Sequence, residues 1–289
     1  MWYQLQIEHC HRDIVDELSE VLETTGALSI TLTDKNDDPV LEPEPGTTPL
    51  WPDVIINALY SDEATAIVIQ HQLASLYSEL HCTVNTLADQ DWERAWMDDF
   101  KPQQFGKNLW VCPSWITPPE PDAVNLILDP GLAFGTGNHA TTSLCLHWLG
   151  NTDLHGKSVI DYGCGSGILA LAALKLGAKF VSAVDIDPQA LQATESNATV
   201  NHIDDKELAM GFPDSLTTTV DLLVANILLA PLLKLQERFR ALLNPDGVLV
   251  VSGILTEQAP LLIESYQENF IHQQTHDSEG WSLLVFTCR

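Results

Sequence analysis

The chain has 289 residues, well beyond the ~150 of a common single domain, so two domains are expected. Its apolar fraction of 45% and charged fraction of 18% are those of an ordinary globular protein. The 40 Asp+Glu against 13 Lys+Arg leave a net charge of −27, which repels phosphate backbones and anionic lipid heads and attracts a basic partner. Nucleic-acid and membrane-surface roles are therefore disfavoured from the start.

Six cysteines (Cys10, Cys82, Cys112, Cys145, Cys164, Cys288) form no CxxC pair and no metal-ligand spacing, which points to a reducing compartment. His9 and His11 share one strand face without a third ligand, so no metal is expected. The first residues lack a basic stretch followed by an apolar one, and no apolar run approaches the ~20 residues that span a bilayer. A cytoplasmic protein is expected.

In chain order, Tyr3, Leu5 and Ile7 alternate with polar residues and predict a half-buried strand. Ile14, Leu18, Val21 and Leu22 recur at helical spacing, with Gly26 as the stop. Strands are predicted over 28–33 and 54–60, separated by a Pro-rich loop at 42–52. A second helix is outlined by Ile67, Gln70, Leu73, Leu76, Tyr77 and Leu80, and a fourth strand by 82–87. This β-α-β-β-α-β order predicts a smaller ferredoxin-like α+β domain over 1–88, with one sheet face open to a partner. Trp92, Trp96 and Phe100 then share one helical face, predicting a linker helix over 89–104. That aromatic stripe serves equally well as plain core.

From 105 to 289 strands alternate with helices, the pattern of an α/β domain with a Rossmann-like, mostly parallel sheet. Strands are predicted at 109–115, 125–128, 158–161, 180–185, 221–225, 248–251 and 283–287, the last completing the sheet as an antiparallel strand. Helices are predicted at 168–176, 188–201, 229–243 and 257–269.

The chemistry concentrates where the strand at 158–161 turns through Gly163, Gly165 and Gly167 into a helix. Glycines two apart let a ligand approach the backbone closely, and this loop lies at the carboxyl ends of the strands, where ligands bind in open sheets. The spacing is G-x-G-x-G, and Ile168 stands where the dinucleotide fingerprint G-x-G-x-x-G wants glycine. Asp161, just before the loop, repels a pyrophosphate and attracts a cation. Asp185, about 20 residues after the first glycine, can accept both hydroxyls of a ribose. A cationic nucleoside without phosphates fits both: S-adenosylmethionine. Asp187, before Pro188, reads as a helix cap. A second Gly-rich loop, 128–142, carries Phe134, Gly135, His139 and Thr142 and can close over the ligand, with His139 read as a structural or capping residue ahead of the alternative of a proton acceptor. Asn226 ends a strand at the same edge, where it either meets the ligand or starts the next helix.

On these segments, together with Trp92–Met97 and Trp110–Trp115, the sequence closely resembles the ribosomal protein L-eleven methyltransferase family. The family is one of class I S-adenosylmethionine-dependent protein methyltransferases. The resemblance covers essentially the whole chain. It implies methylation of the α-amine and lysine ε-amines of one basic ribosomal protein, met free before ribosome assembly, with S-adenosylhomocysteine as product. It also implies that the N-terminal domain recognises this substrate, and that Thr142, Gly163, Asp185 and Asn226 contact the cofactor with Phe134 and Gly135 nearby. Gly165 and Asp161 join this set on their own spacing, and Asn226 is the residue expected to orient the amine. A monomer without nucleic acid, membrane or metal is expected. The alternatives are a class I methyltransferase for another protein or a nucleic acid, and a non-catalytic ribosome-docking module.

Overall fold

Strand β1 (Trp2–His11) sits second from one edge of an antiparallel four-stranded sheet and buries every other side chain, as its alternation predicts. With α1 (Val15–Thr24), β2 (Ser29–Asp34), β3 (Asp53–Tyr60), α2 (Glu63–Leu76) and β4 (His81–Leu87) it gives the order β2-β3-β1-β4, the ferredoxin-like arrangement. The computed structural model describes residues 1–36, 50–87, 100–129 and 139–289. It divides into two compact units, Met1–Met97 and Asp98–Arg289. Most of the expected Pro-rich loop and linker helix, Trp92 and Trp96 included, lies outside the described residues.

Leu5 and Ile7 of β1 pair with Ala58 and Ile56 of β3, and Leu18, Leu22, Ile69 and Leu73 cover them from the two helices. A bulge between Ile7 and Cys10, with His9 in the left-handed region, returns Cys10 to the core face. Gln4, Gln6 and Asn57 stay half-buried on the opposite face.

One expectation here needs correction. Helix α2 starts at Glu63, where Asp62 accepts the Thr65 N–H at 2.7 Å, and ends at Leu76, so Leu80 lies beyond it. The residues it buries are Ala66, Ile69 and Leu73, while Ile67 and Leu76 are exposed. Apolar and polar residues are scattered around its axis, so spacing alone does not fix its inward face.

The second unit begins with a separate three-stranded sheet, β5 (Gln103–Phe105), β6 (Leu109–Cys112) and β7 (Val124–Ile127). Asn201 ties it to the helix layer by bonding both the N–H (2.8 Å) and the carbonyl (2.6 Å) of Ile127. The main sheet comprises β8 (Ser158–Tyr162), β9 (Phe180–Val184), β10 (Leu208–Gly211), β11 (Val220–Asn226), β12 (Leu243–Leu255), β13 (Phe270–Ser278) and β14 (Trp281–Cys288). Its order is β10-β9-β8-β11-β12-β14-β13, parallel from β10 to β12, with the last strand β14 antiparallel to both its neighbours.

Helices α3 (Ala140–Gly150), α4 (Ile168–Lys175) and α5 (Pro188–Val200) cover one face; α6 (Leu229–Leu242) and α7 (Ala259–Tyr266) cover the other. Consecutive strand residues therefore enter different cores: Val159 packs with Leu171 and Val224, and Ile160 with Leu223 and Phe239. At the amino edge, the Asp221 carboxylate accepts Ser158 N–H (2.9 Å), Ser158 O–H (2.8 Å) and the Asn244 amide (2.8 Å). One side chain thus pins β8, β11 and β12. These bonds hold the Asp221 carboxyl below its ordinary range, the Ser158 N–H contributing most. Strands β5, β10 and β13 were not anticipated from the sequence, and the expected linker helix does not extend over 100–104, where residues 100–102 are in no helix and Gln103 and Gln104 pair as part of β5.

Candidate active site

The carboxyl ends of β8, β9 and β11 bring the anticipated side chains to one edge. After β8 the chain passes through Gly163, Gly165 and Gly167 with φ of 83°, 54° and 79°, values in the left-handed region that glycine adopts without strain. A Cβ on Gly163 would stand 2.5 Å from Ile227 Cγ2, and one on Gly167 2.7 Å from Thr194 Cγ2. The loop is held from below and from the side. Val184 O accepts the N–H of both Gly163 (2.8 Å) and Cys164 (3.0 Å), while Thr194 and Asn197 of α5 donate to the carbonyls of Gly165 and Ser166.

Asp185 is fixed by two backbone donors, Gly165 N–H to Oδ2 at 2.9 Å and Asp187 N–H to Oδ1 at 3.0 Å. Each oxygen keeps lone-pair capacity for a further donor. Asp187 caps α5 by accepting the Gln189 N–H at 2.8 Å, with Pro188 at the first helical position, as expected. Across the crevice Asn226, the last residue of β11, donates its amide to Thr142 Oγ1 at 3.3 Å. Thr142 lies buried in the first turn of α3. That helix is capped by His139, whose ring accepts the Thr141 N–H at 3.3 Å and packs edge-on against Trp281 at 4.9 Å. The structural role expected of His139 is what the geometry gives.

Asp161 departs from the simplest expectation. It does not line the surface but is buried, 1% exposed, with Oδ2 accepting the Ala170 N–H at 2.9 Å. Its Oδ1 is buried with no partner. Burial, reinforced by the charge of Asp185 and partly offset by the Ala170 bond, pushes its carboxyl up to about 7. Burial pushes the neighbouring Cys164 thiol up to about 12, which leaves it inert as a nucleophile.

Sequence reasoning missed the apolar rim. Ile186, two residues past β9, is 83% exposed and Phe212, directly after β10, 52%, and the Asp185 N–H to Gly211 O bond at 3.2 Å brings these two ends together. For Ile186 the available signal was a large apolar residue between two acids, Asp185 and Asp187, just past a strand; Phe212, after Gly211, offered none. Such side chains suit the flat face of a nucleobase. Phe134 and Gly135 lie outside the described residues. Among those described, no three of His, Cys, Asp and Glu are grouped as a metal would require.

Among the described residues, the acidic side chains at this edge are Asp185, Asp187 and the buried Asp161 with its orphaned oxygen, beside a cradle that a Cβ would fill. That donor set fits a cationic adenosyl ligand and disfavours a pyrophosphate. The comparisons agree with a methyltransferase. The family described as "Ribosomal protein L11 methyltransferase (PrmA)" matches residues 1–289. A Ribosomal protein L11 methyltransferase of Legionella pneumophila (strain Philadelphia 1) is 65% identical over 289 residues, all of both chains. One from Nitrosococcus oceani is 49% identical, covering 98% of each. The crystal structure of a ribosomal protein L11 methylase from Lactobacillus delbrueckii subsp. bulgaricus superposes with a TM-score of 0.61 at 35% identity, over 66% of this chain and all of its own. With glycine loop, strand order and full-length match in agreement, the chain belongs to the ribosomal protein L11 methyltransferase family.

Proposed function

We propose that the chain transfers methyl groups from S-adenosylmethionine to the α-amine and lysine ε-amines of ribosomal protein L11, releasing S-adenosylhomocysteine. The observation that carries this reading is the meeting of Thr142 and Asn226 across one crevice at 3.3 Å, beside the glycine loop and Asp185. In this reading the remaining lone pairs of Asp185 accept the ribose hydroxyls, and the backbone of Gly163 and Gly165 borders the methionyl part. Phe134 and Gly135 join the set on family resemblance alone. The bound donor supplies a methyl on a sulfonium, whose departure as a neutral thioether needs no general acid.

The protein's task is then positioning, which can supply much of the rate. The attacking amine must be neutral, although a free lysine has a pKa of ~10.4. Desolvation in the crevice lowers that value. Asn226 gives its N–H to Thr142 and can accept from the amine through its uncharged Oδ1, orienting it without stabilising its charged form. Residues 1–88 recognise the protein substrate, 89–104 link, and 105–289 catalyse. The net charge of −27 draws in a basic partner, met as a free protein in the cytoplasm by a monomeric enzyme.

The test is incubation of the purified chain and free L11 with isotope-labelled donor, followed by peptide mass spectrometry. Label on the N-terminal amine and on lysines is expected. Label absent from L11, or found on ribosomal RNA instead, overturns the proposal.

A further inference from the structure

Among the described residues at the crevice, Asp161 carries a buried carboxyl for which positioning of the loop accounts only in part. Its Oδ2 closes the first turn of α4 through Ala170, but Oδ1 is enclosed without a donor. Among the described residues, the groups facing it bring no positive charge. Cys145 stands on α3, itself bonded to Ser252 of β12, Cys164 on the loop, and Asp185 at the end of β9. On β11, Val224 lies in register with it. A carboxylate so placed is ill-matched to its surroundings until a cation arrives nearby.

We infer that Asp161 is a positioning residue that discriminates the cationic donor from its spent product by giving up a proton as the donor binds. The inference rests on the reading of the crevice as a site for S-adenosylmethionine. In the free protein the proton sits on Oδ1, since Oδ2 already accepts the Ala170 N–H. The raised affinity of this carboxyl for a proton, near neutrality, is consistent with that state. When the donor enters, the O–H bond of Asp161 breaks, the proton passes to the buffer, and the carboxylate is left opposite the cation. S-adenosylhomocysteine lacks the sulfonium charge and drives this ionisation less. Product is therefore held less firmly than donor once the carboxyl is ionised, which favours turnover.

Isothermal titration of the full chain with donor and with product, in buffers of different ionisation enthalpy, reads the exchange directly. At about pH 6, where the free carboxyl is protonated, donor binding is expected to release most of one proton and product binding less; at about pH 8.5 both releases fade. The ratio of donor to product affinity is expected to rise by up to about tenfold per pH unit below pH 7 and to flatten above it. Asp161→Asn is expected to show neither the release nor the pH dependence. A purely structural Asp161 moves neither readout, and if that variant fails to fold, the wild-type series decides alone. Donor binding without proton exchange at about pH 6, equal release by donor and product, or unchanged release in the variant overturns the inference while leaving the site reading intact. Failure of the donor to bind at any pH removes both.

Discussion

In the first unit, Leu5, Ile7 and Ile56 are buried on one face of the sheet while Gln4, Gln6 and Asn57 stay half-exposed on the other. In the second, Ile160 and Asp161, adjacent in sequence, are both buried, because helices cover both faces. A sheet covered on both sides can offer a ligand only the ends of its strands, and that is where Asp185, Asn226 and the glycine loop lie. A sheet covered on one side offers a broad polar face suited to another protein. A site on the doubly covered sheet depends on backbone shape and a few charges, whereas one on the singly covered sheet would depend on many replaceable side chains.

Mutations can break this contrast, and the largest effect is expected at Asp161. Its folded carboxyl is raised to about 7 from 3.8, so the folded state holds a proton that the unfolded chain has lost, and its contribution to stability falls as pH rises from 4 to 7. Asp161→Asn removes this penalty. Relative to wild type its unfolding free energy is expected to improve by something on the order of 4 kcal/mol between pH 4 and pH 8, read by denaturant titration. Next comes Gly167→Ala, which combines positive φ with a Cβ pressed against Thr194. We expect a loss of about 3 kcal/mol and of donor binding, checked by a thermal scan with and without donor.

Asn226→Ala is expected to lower turnover about tenfold, roughly the 1.4 kcal/mol of one lost positioning bond, with thermal stability nearly unchanged. Unaltered turnover and donor affinity would remove Asn226 from the reaction. Thr142→Val should cost no more in the Asn226→Ala background than a few tenths of a kcal/mol, because the two share one bond. The smallest effect on stability, within about 0.5 kcal/mol, is expected for Gln6→Lys with Asn57→Lys on the open face of the first sheet. Donor binding should be untouched while methylation of a basic protein slows several-fold; an unchanged rate would show that this face takes no part in recognition.

The parts of the fold legible in the sequence are those whose side chains repeat with a face. β1 and β3 alternate, and the buried strands β8, β9 and β11 are apolar runs bounded by turns. β10 and β13 escaped because their side chains present no buried face. Of the residues from Ile271 to Asp277 none is buried, and Leu208 is the sole buried residue of β10, so neither shows an apolar period. Their pairing comes from partners distant in sequence. At the site, Asp185, Thr142 and Asn226 could be read from position relative to strand ends. The burial of Asp161 could not, because an acid at a strand terminus points to solvent or to a helix amide according to packing that a single sequence does not display. The exposure of Ile186 and Phe212 depends on the same packing.

The pin formed by Asp221 gives the sheet a chemical polarity along its strands. At one end a carboxylate is useful only while ionised, so acidification through its depressed pKa unfastens β8 from β11 and β12. At the opposite end of β8 a carboxyl is comfortable only while protonated, so alkaline conditions strain the loop. Acid therefore loosens the heel of the domain and base its working tip. Hydrogen exchange followed from both pH extremes would show the two margins of one strand opening in opposite order.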